Sequence, residues 1–170
     1  MPIPIRKTSW FTRMLKRLRN DGGNAALEFA FAFGLLGTPL ILGTSEVAFL
    51  VYDSIELSNC AHAGAMYGMM SSTFASDTSG IQTAAQQEAA DFGSNVSVTP
   101  TTYYACSTAI NGTQYSTQSA AAAVCPANTS NHYLEFVQVV SSISVNPPVQ
   151  MPGLPRTWTI RGSSTMEVQE

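Results

Sequence analysis

The chain has 170 residues, of which 45% are apolar and only 11% charged, against roughly 25% charged in an ordinary soluble domain. That length holds one domain of about 100–150 residues plus a segment of another kind. The charge deficit argues against a free cytosolic enzyme and against a disordered charged tail. Charge is also unevenly placed. Arg6, Lys7, Arg13, Lys16, Arg17 and Arg19 precede residue 20, and Asp21 is the one acid before residue 24. The remainder is acidic, with Arg156 and Arg161 as its only Lys or Arg residues. Such a body is poorly suited to a phosphate backbone, so nucleic acid is not an expected partner.

Residues 1–23 read as a polar, basic leader ending in the turn signal Asp21-Gly22-Gly23. An apolar stretch from Ala25 to Tyr52 follows. As a helix it would extend about 42 Å, more than the roughly 30 Å of bilayer hydrocarbon. It is too long for the usual h-region of a cleaved secretory signal. The stretch therefore reads as a membrane anchor, with the basic flank keeping the N-terminus in the cytoplasm. Pro39 predicts a kink near residues 35–39.

Beyond Tyr52 the apolar spacing stays helical while polarity rises, with Ile55, Leu57, Ala61, Ala65 and Met69 in phase. One helix is expected from about residue 25 to 70, its outer half packing on something outside the membrane. Ser79 and Gln82 suit an N-cap and capping box for a second helix over 81–92, closed by Gly93. Strand-like alternation marks Val96 and Val98, then 133–145, then 157–169. Residues 105–131, rich in Ser, Thr, Ala and Asn, are expected to form a long loop. Cys106 and Cys125 fall in the exported part, where disulfides persist. A bond between them would pin that loop and contribute about 3 kcal/mol in the chain-entropy account. Cys60 is left over as a small apolar side chain. The expected fold is α+β: a long N-terminal transmembrane helix continuing into a periplasmic domain, where it packs on an antiparallel sheet of about three strands, with a second short helix. The domains are 1–23 leader, 24–52 membrane helix and 53–170 extracytoplasmic domain.

No motif of metal or nucleophilic chemistry appears. His62 and His132 stand alone, without His-Glu-x-x-His, Cys-x-x-Cys or Gly-x-Ser-x-Gly. No catalytic residue, metal or cofactor is expected. The sharpest pattern is Gly23-Asn24-Ala25-Ala26-Leu27-Glu28-Phe29, between basic leader and apolar helix. A glycine, four residues and a glutamate at that place resemble the class III signal sequence of type IV pilins. A carboxylate at the end of a membrane helix is costly and calls for a reason. Glu46 lies eighteen residues after Glu28. That is five helical turns, which places both acids on one face about 27 Å apart.

With Thr44-Ser45-Glu46-Val47-Ala48-Phe49, Tyr52 and the Asn59–Tyr67 run, the chain resembles the TadE-like minor pseudopilins of the tight-adherence (Tad/Flp) system. His62 and Met66 stand where that family carries charged residues. The likeness is good over 22–70, weaker over 133–170 and absent between. It implies cleavage after Gly23 by a prepilin peptidase, with Asn24 as the new N-terminus. It also implies assembly roles for Glu28, Phe29 and Glu46, and partners among other Tad pilins and the assembly platform. The implied location is the bacterial inner membrane before assembly, and the periplasm or a cell-surface pilus afterwards. The alternative is a single-pass, membrane-anchored ligand-binding protein unrelated to pili.

Overall fold

A computed structural model describes residues 21–128, 130–148 and 155–169. The leader residues 1–20 lie outside the described residues, as do positions 149–154 of the proline-rich link between the last two strands. The chain divides into two compact units, Met1–Val47 and Ala48–Glu170.

In the first unit, helix α1 runs Asp21–Ala32, a π-helical turn covers Phe33–Gly37, and helix α2 begins at Thr38. The turn expected at Asp21-Gly22-Gly23 is helical instead. Propagation adds a hydrogen bond per residue, which offsets the glycine penalty of about 1 kcal/mol each. The kink expected at Pro39 takes the form of the π turn. Proline offers no N–H and crowds the carbonyl four residues back, that of Leu35. The Thr38 N–H instead reaches the Phe33 carbonyl, five residues back, and the wider turn makes room. Thr44 and Ser45 return their hydroxyls to the carbonyls of Leu40 and Ile41. No polar hydrogen is thereby offered to an apolar surrounding.

The second unit carries the rest of α2, which ends at Gly68, then α3 (Ser72–Ser76) and α4 (Thr78–Glu88). A 3-10 segment over Ala90–Asn95 leads into β1 (Ser97–Cys106). Helix α5 (Gln118–Val124), β2 (Tyr133–Val145) and β3 (Trp158–Glu167) complete it. The strands form an antiparallel sheet in the order β1-β2-β3. Its inner face follows the period-2 pattern: Val98 opposes Ser141, Val139 opposes Ser164, and Ile143 opposes Ile160. Against that face α2 presents Leu57, Cys60, Ala61 and Ala65, and α4 presents Ile81 and Ala85, all fully buried.

Helix and sheet come closest at Gly162. A Cβ there would overlap the backbone of Leu57 and Ser58. Opposite Gly162 on β2 is Ser141, fully buried, whose Oγ donates to the Leu57 carbonyl at 2.6 Å. The polar side chain in the core is thereby satisfied, and it ties the middle strand to the helix.

Three sequence expectations are corrected. Asp77, not Ser79, caps α4: its Oδ1 accepts from the Gly80 N–H at 3.0 Å and the Ser79 hydroxyl at 2.8 Å. A carboxylate is the stronger acceptor for a helix N-terminus. Gln82, freed from a capping box, donates to the Val98 carbonyl at 3.1 Å. Second, α4 stops at Glu88 rather than near Phe92, and Gly93 takes φ 58° inside the 3-10 segment. Third, residues 105–131 are not one loop. β1 runs on to Cys106, and α5, capped by Thr117, is set within the span.

The two sheet edges differ. Along β1, Pro100 has no N–H to offer. Gln82 covers the Val98 carbonyl, and Tyr115 exchanges two backbone bonds of 2.8 Å with Tyr104. Among the described residues β3 has β2 as its only strand neighbour.

Two outcomes follow, read by near-UV circular dichroism of the full chain in detergent. Gly162→Ala lowers unfolding stability by about 1–3 kcal/mol through overpacking, and Ser141→Ala by roughly 0.5–1.5 kcal/mol through loss of one bond. The Gly80 N–H, then the Ser79 and Tyr67 hydroxyls, hold the Asp77 carboxyl below the usual aspartate range. A carboxyl depressed in the folded state stabilises above its unfolded pKa, and that contribution is lost as pH falls through the folded value. Asp77→Asn therefore flattens the acid limb of the stability profile, and an unchanged limb would refute the assignment.

Candidate functional site at the head of the apolar helix

The pattern Gly23–Phe29 lies on α1. Among its side chains, Glu28 is exposed and Phe29 is 72% exposed. Phe29 stacks on Phe33 with ring centroids 6.1 Å apart, so two aromatic rings make a ledge that begins at the residue after the acid. Leu27, Phe31, Leu35, Leu36, Leu40 and Ile41 are exposed too. An apolar helix bare on every side is the mark of a membrane span. The run Asn24–Gly68 is long and apolar enough to cross a bilayer, and its most apolar stretch has no residue buried within the chain.

Glu46 sits differently from Glu28, being only 7% exposed. The sequence places both acids on one face by counting five uninterrupted turns. The π turn at Phe33–Gly37 lies between them. One residue more per turn shifts the downstream phase by about 100°, so the shared face does not hold.

The expected Cys106–Cys125 disulfide is present, with Cα atoms 5.7 Å apart. It staples α5 to the end of β1. Ala121 packs against it, with Tyr104, Tyr115 and Tyr133 around it. Burial, and next the Glu135 charge, push the Tyr104 phenol up; its hydroxyl donates to Glu135 Oε1 at 3.2 Å. Cys60 is a free, fully buried thiol in the main core. His62 and His132 are both exposed.

Sequence reasoning missed the Ser141–Gly162 seam and the triple role of Asp77. A buried serine in a run of valines and a glycine inside a strand are the signals that point to such a seam. Among the described residues, no three His, Cys, Asp or Glu side chains gather as a metal site. No family model matches the chain, and no curated protein or solved structure matches it.

The disulfide closes a span of 19 residues, so its loss should cost about 3 kcal/mol. Cys106→Ser with Cys125→Ser is expected to lower the melting temperature and to raise amide exchange over 107–131. The main core around Val137 and Val139 should stay protected. Uniform loss of protection would show that the staple serves the whole sheet.

Proposed function

We propose that the chain is a minor pilin of the TadE-like kind, serving a Tad (Flp) type IV pilus. A prepilin peptidase removes the leader after Gly23 at the cytoplasmic face. The helix from Asn24 to Tyr52 then waits in the inner membrane, with the α+β domain outside. From there the subunit joins other Tad pilins and the assembly platform, acting in initiation, in assembly or at the tip, and it supports adhesion. Its role is structural.

The observation that carries this reading is an exposed Glu28 at the head of an exposed apolar helix, five residues after Gly23. Cleavage after Gly23 would free an amine at Asn24, one turn from Glu28. The carboxylate would neutralise that amine on its own chain or on a neighbour, and it complements the positive helix end. Leaving it unpaired in a membrane would be expensive. Gly22 and Gly23 make the first turn the cheapest part of the helix to open for a peptidase. Burial of apolar helix surface would drive assembly, with Glu28 setting the register.

Mass spectrometry of the protein from its native membrane is expected to find Asn24 at the N-terminus. An intact leader in cells with an active prepilin peptidase would overturn the reading in favour of a membrane-anchored ligand-binding protein. Glu28→Ala should be cleaved normally yet yield at least tenfold fewer pili by electron microscopy. Normal piliation in that variant would remove Glu28 from assembly. A bulky residue at Gly23 should block cleavage.

A further inference from the structure

We propose that the free edge of β3 is a homophilic docking surface, which pairs antiparallel with β3 of a second copy carried on a facing surface. An edge strand offers a row of unpaired backbone donors and acceptors. Among the described residues β3 has β2 as its only strand neighbour, whereas the β1 edge carries Pro100 and the Tyr104–Tyr115 bridge.

The charges on β3 select the occupant. Arg161, Ser163, Thr165 and Glu167 are exposed and alternate with residues of the inner face. Arg161 and Glu167 stand six residues apart, about 20 Å along a strand, so they cannot meet within one copy. Their partners across on β2 are Ser142 and Phe136, neither of them charged. Opposed residues of an antiparallel pair lie on the same face, so odd positions of β3 can oppose only odd ones, and even only even. With Ser164 opposite its own copy, Arg161 opposes Glu167 of the second copy and Glu167 opposes Arg161. Ser163 then opposes Thr165, and on the inner face Ile160 opposes Val168. Centring the pair on Arg161 or Glu167 sets like charges together, and any other centre leaves both charges without a counterpart. Charge on an edge ordinarily keeps strands apart. Here the two signs cancel in a single register, and that register is the self-complementary one a two-fold pair requires.

The course of α2 decides how two such copies face each other. Leu57 lies against Gly162, and Gly68 against Val137, which pairs with Met166. The Met69 carbonyl accepts from the Gln169 N–H at 2.8 Å. This part of α2 therefore runs beside β3 in the same direction. Reversing β3 in the second copy reverses its α2 as well. The two Ala48 ends, where each chain enters this unit, then stand at opposite ends of the pair. Copies rooted side by side in one bilayer would bring those ends in from the same side. The pair instead suits copies held on two surfaces that meet.

The pairing does not depend on the pilin reading. Its test uses the full chain in phosphatidylcholine vesicles with the second unit outward, at low salt, where exposed charges are least screened. The readout is vesicle clustering by light scattering. Wild-type vesicles should cluster with one another and leave bare vesicles of the same lipid free. Arg161→Glu and Glu167→Arg each set like charges together at both ends of the pair, and each should reduce clustering about tenfold. Mixing vesicles of one variant with vesicles of the other should recover it, because the mixed pair restores opposite charges at both ends. That recovery also shows both variants to be folded. Ser164→Cys sets a thiol opposite its own copy, so differently tagged copies in separate vesicle populations should cross-link on mild oxidation. Clustering untouched by either charge variant, or no recovery on mixing, would overturn the proposal. Wild-type vesicles that stay apart would overturn it too, leaving the edge to a strand of another protein. Recruitment of bare vesicles would make lipid the occupant and overturn it. Ser164→Cys dimers formed within unmixed, dispersed vesicles would overturn the facing-surface arrangement.

Discussion

The second unit depends on one close approach, that of the α2 backbone to the middle of β3 at Gly162. A side chain there would push helix from sheet. The residues flanking Gly162 are Arg161 and Ser163. Slipping β3 by one position in either direction would bring one of them to the seam, and with it a side chain where none fits. Glycine thus fixes register as well as distance. Ser141 converts the same proximity into a bond, its hydroxyl meeting the Leu57 carbonyl. With the layers so near, most of the remaining helical contacts are small: Cys60, Ala61, Ala65 and Ala85. Among the described residues only Leu57, Ile81, Val137 and Val139 are large and fully enclosed.

The two units follow opposite solvent rules. In the first, apolar side chains face outward and hydroxyls fold back onto their own helix. In the second, the sheet turns its apolar side chains inward against the helices and its exposed face carries Thr99, Thr101, Ser163 and Thr165, while Phe49, Val51 and Ile55 at the start of the unit stay exposed. An outward apolar surface suits lipid or other helices, and an inward one suits water. A pilin would use both in succession, first in a bilayer and later among neighbouring subunits. The Glu28 carboxylate stands at the head of the apolar helix, where it would matter in either setting.

Much of this is legible in the sequence. β2 covers the Tyr133–Val145 span read as a strand from its richness in β-branched residues, and the alternation from Trp158 to Glu167 matches the exposure along β3. Period 2 survives because one face is buried against a helix. The candidate span is legible because it is long and apolar enough to cross a bilayer. What stays hidden is decided by competition between near-equal local options. Asp77 and Ser79 are both good caps, and the carboxylate, the stronger acceptor, is also met by the Tyr67 hydroxyl from α2. Helix α5 hides in a Ser- and Ala-rich stretch because it is held by a disulfide and only one wholly buried alanine, Ala121. β1 passes through Pro100 because it is an edge strand. At the candidate site the glycine–glutamate spacing is readable directly. The changed placement of Glu46 is not, because a single π turn leaves little mark on hydrophobic periodicity.

The unequal sheet edges bear on how this domain behaves when crowded. An endless ribbon made by strand addition requires two receptive edges on every copy. Here β1 has Pro100, the Gln82 amide and the Tyr115 bridge along its border. A copy that pairs through β3 would turn a closed border toward the next arrival, so growth would terminate after the first addition. The domain is in this sense chain-terminated against fibrillation.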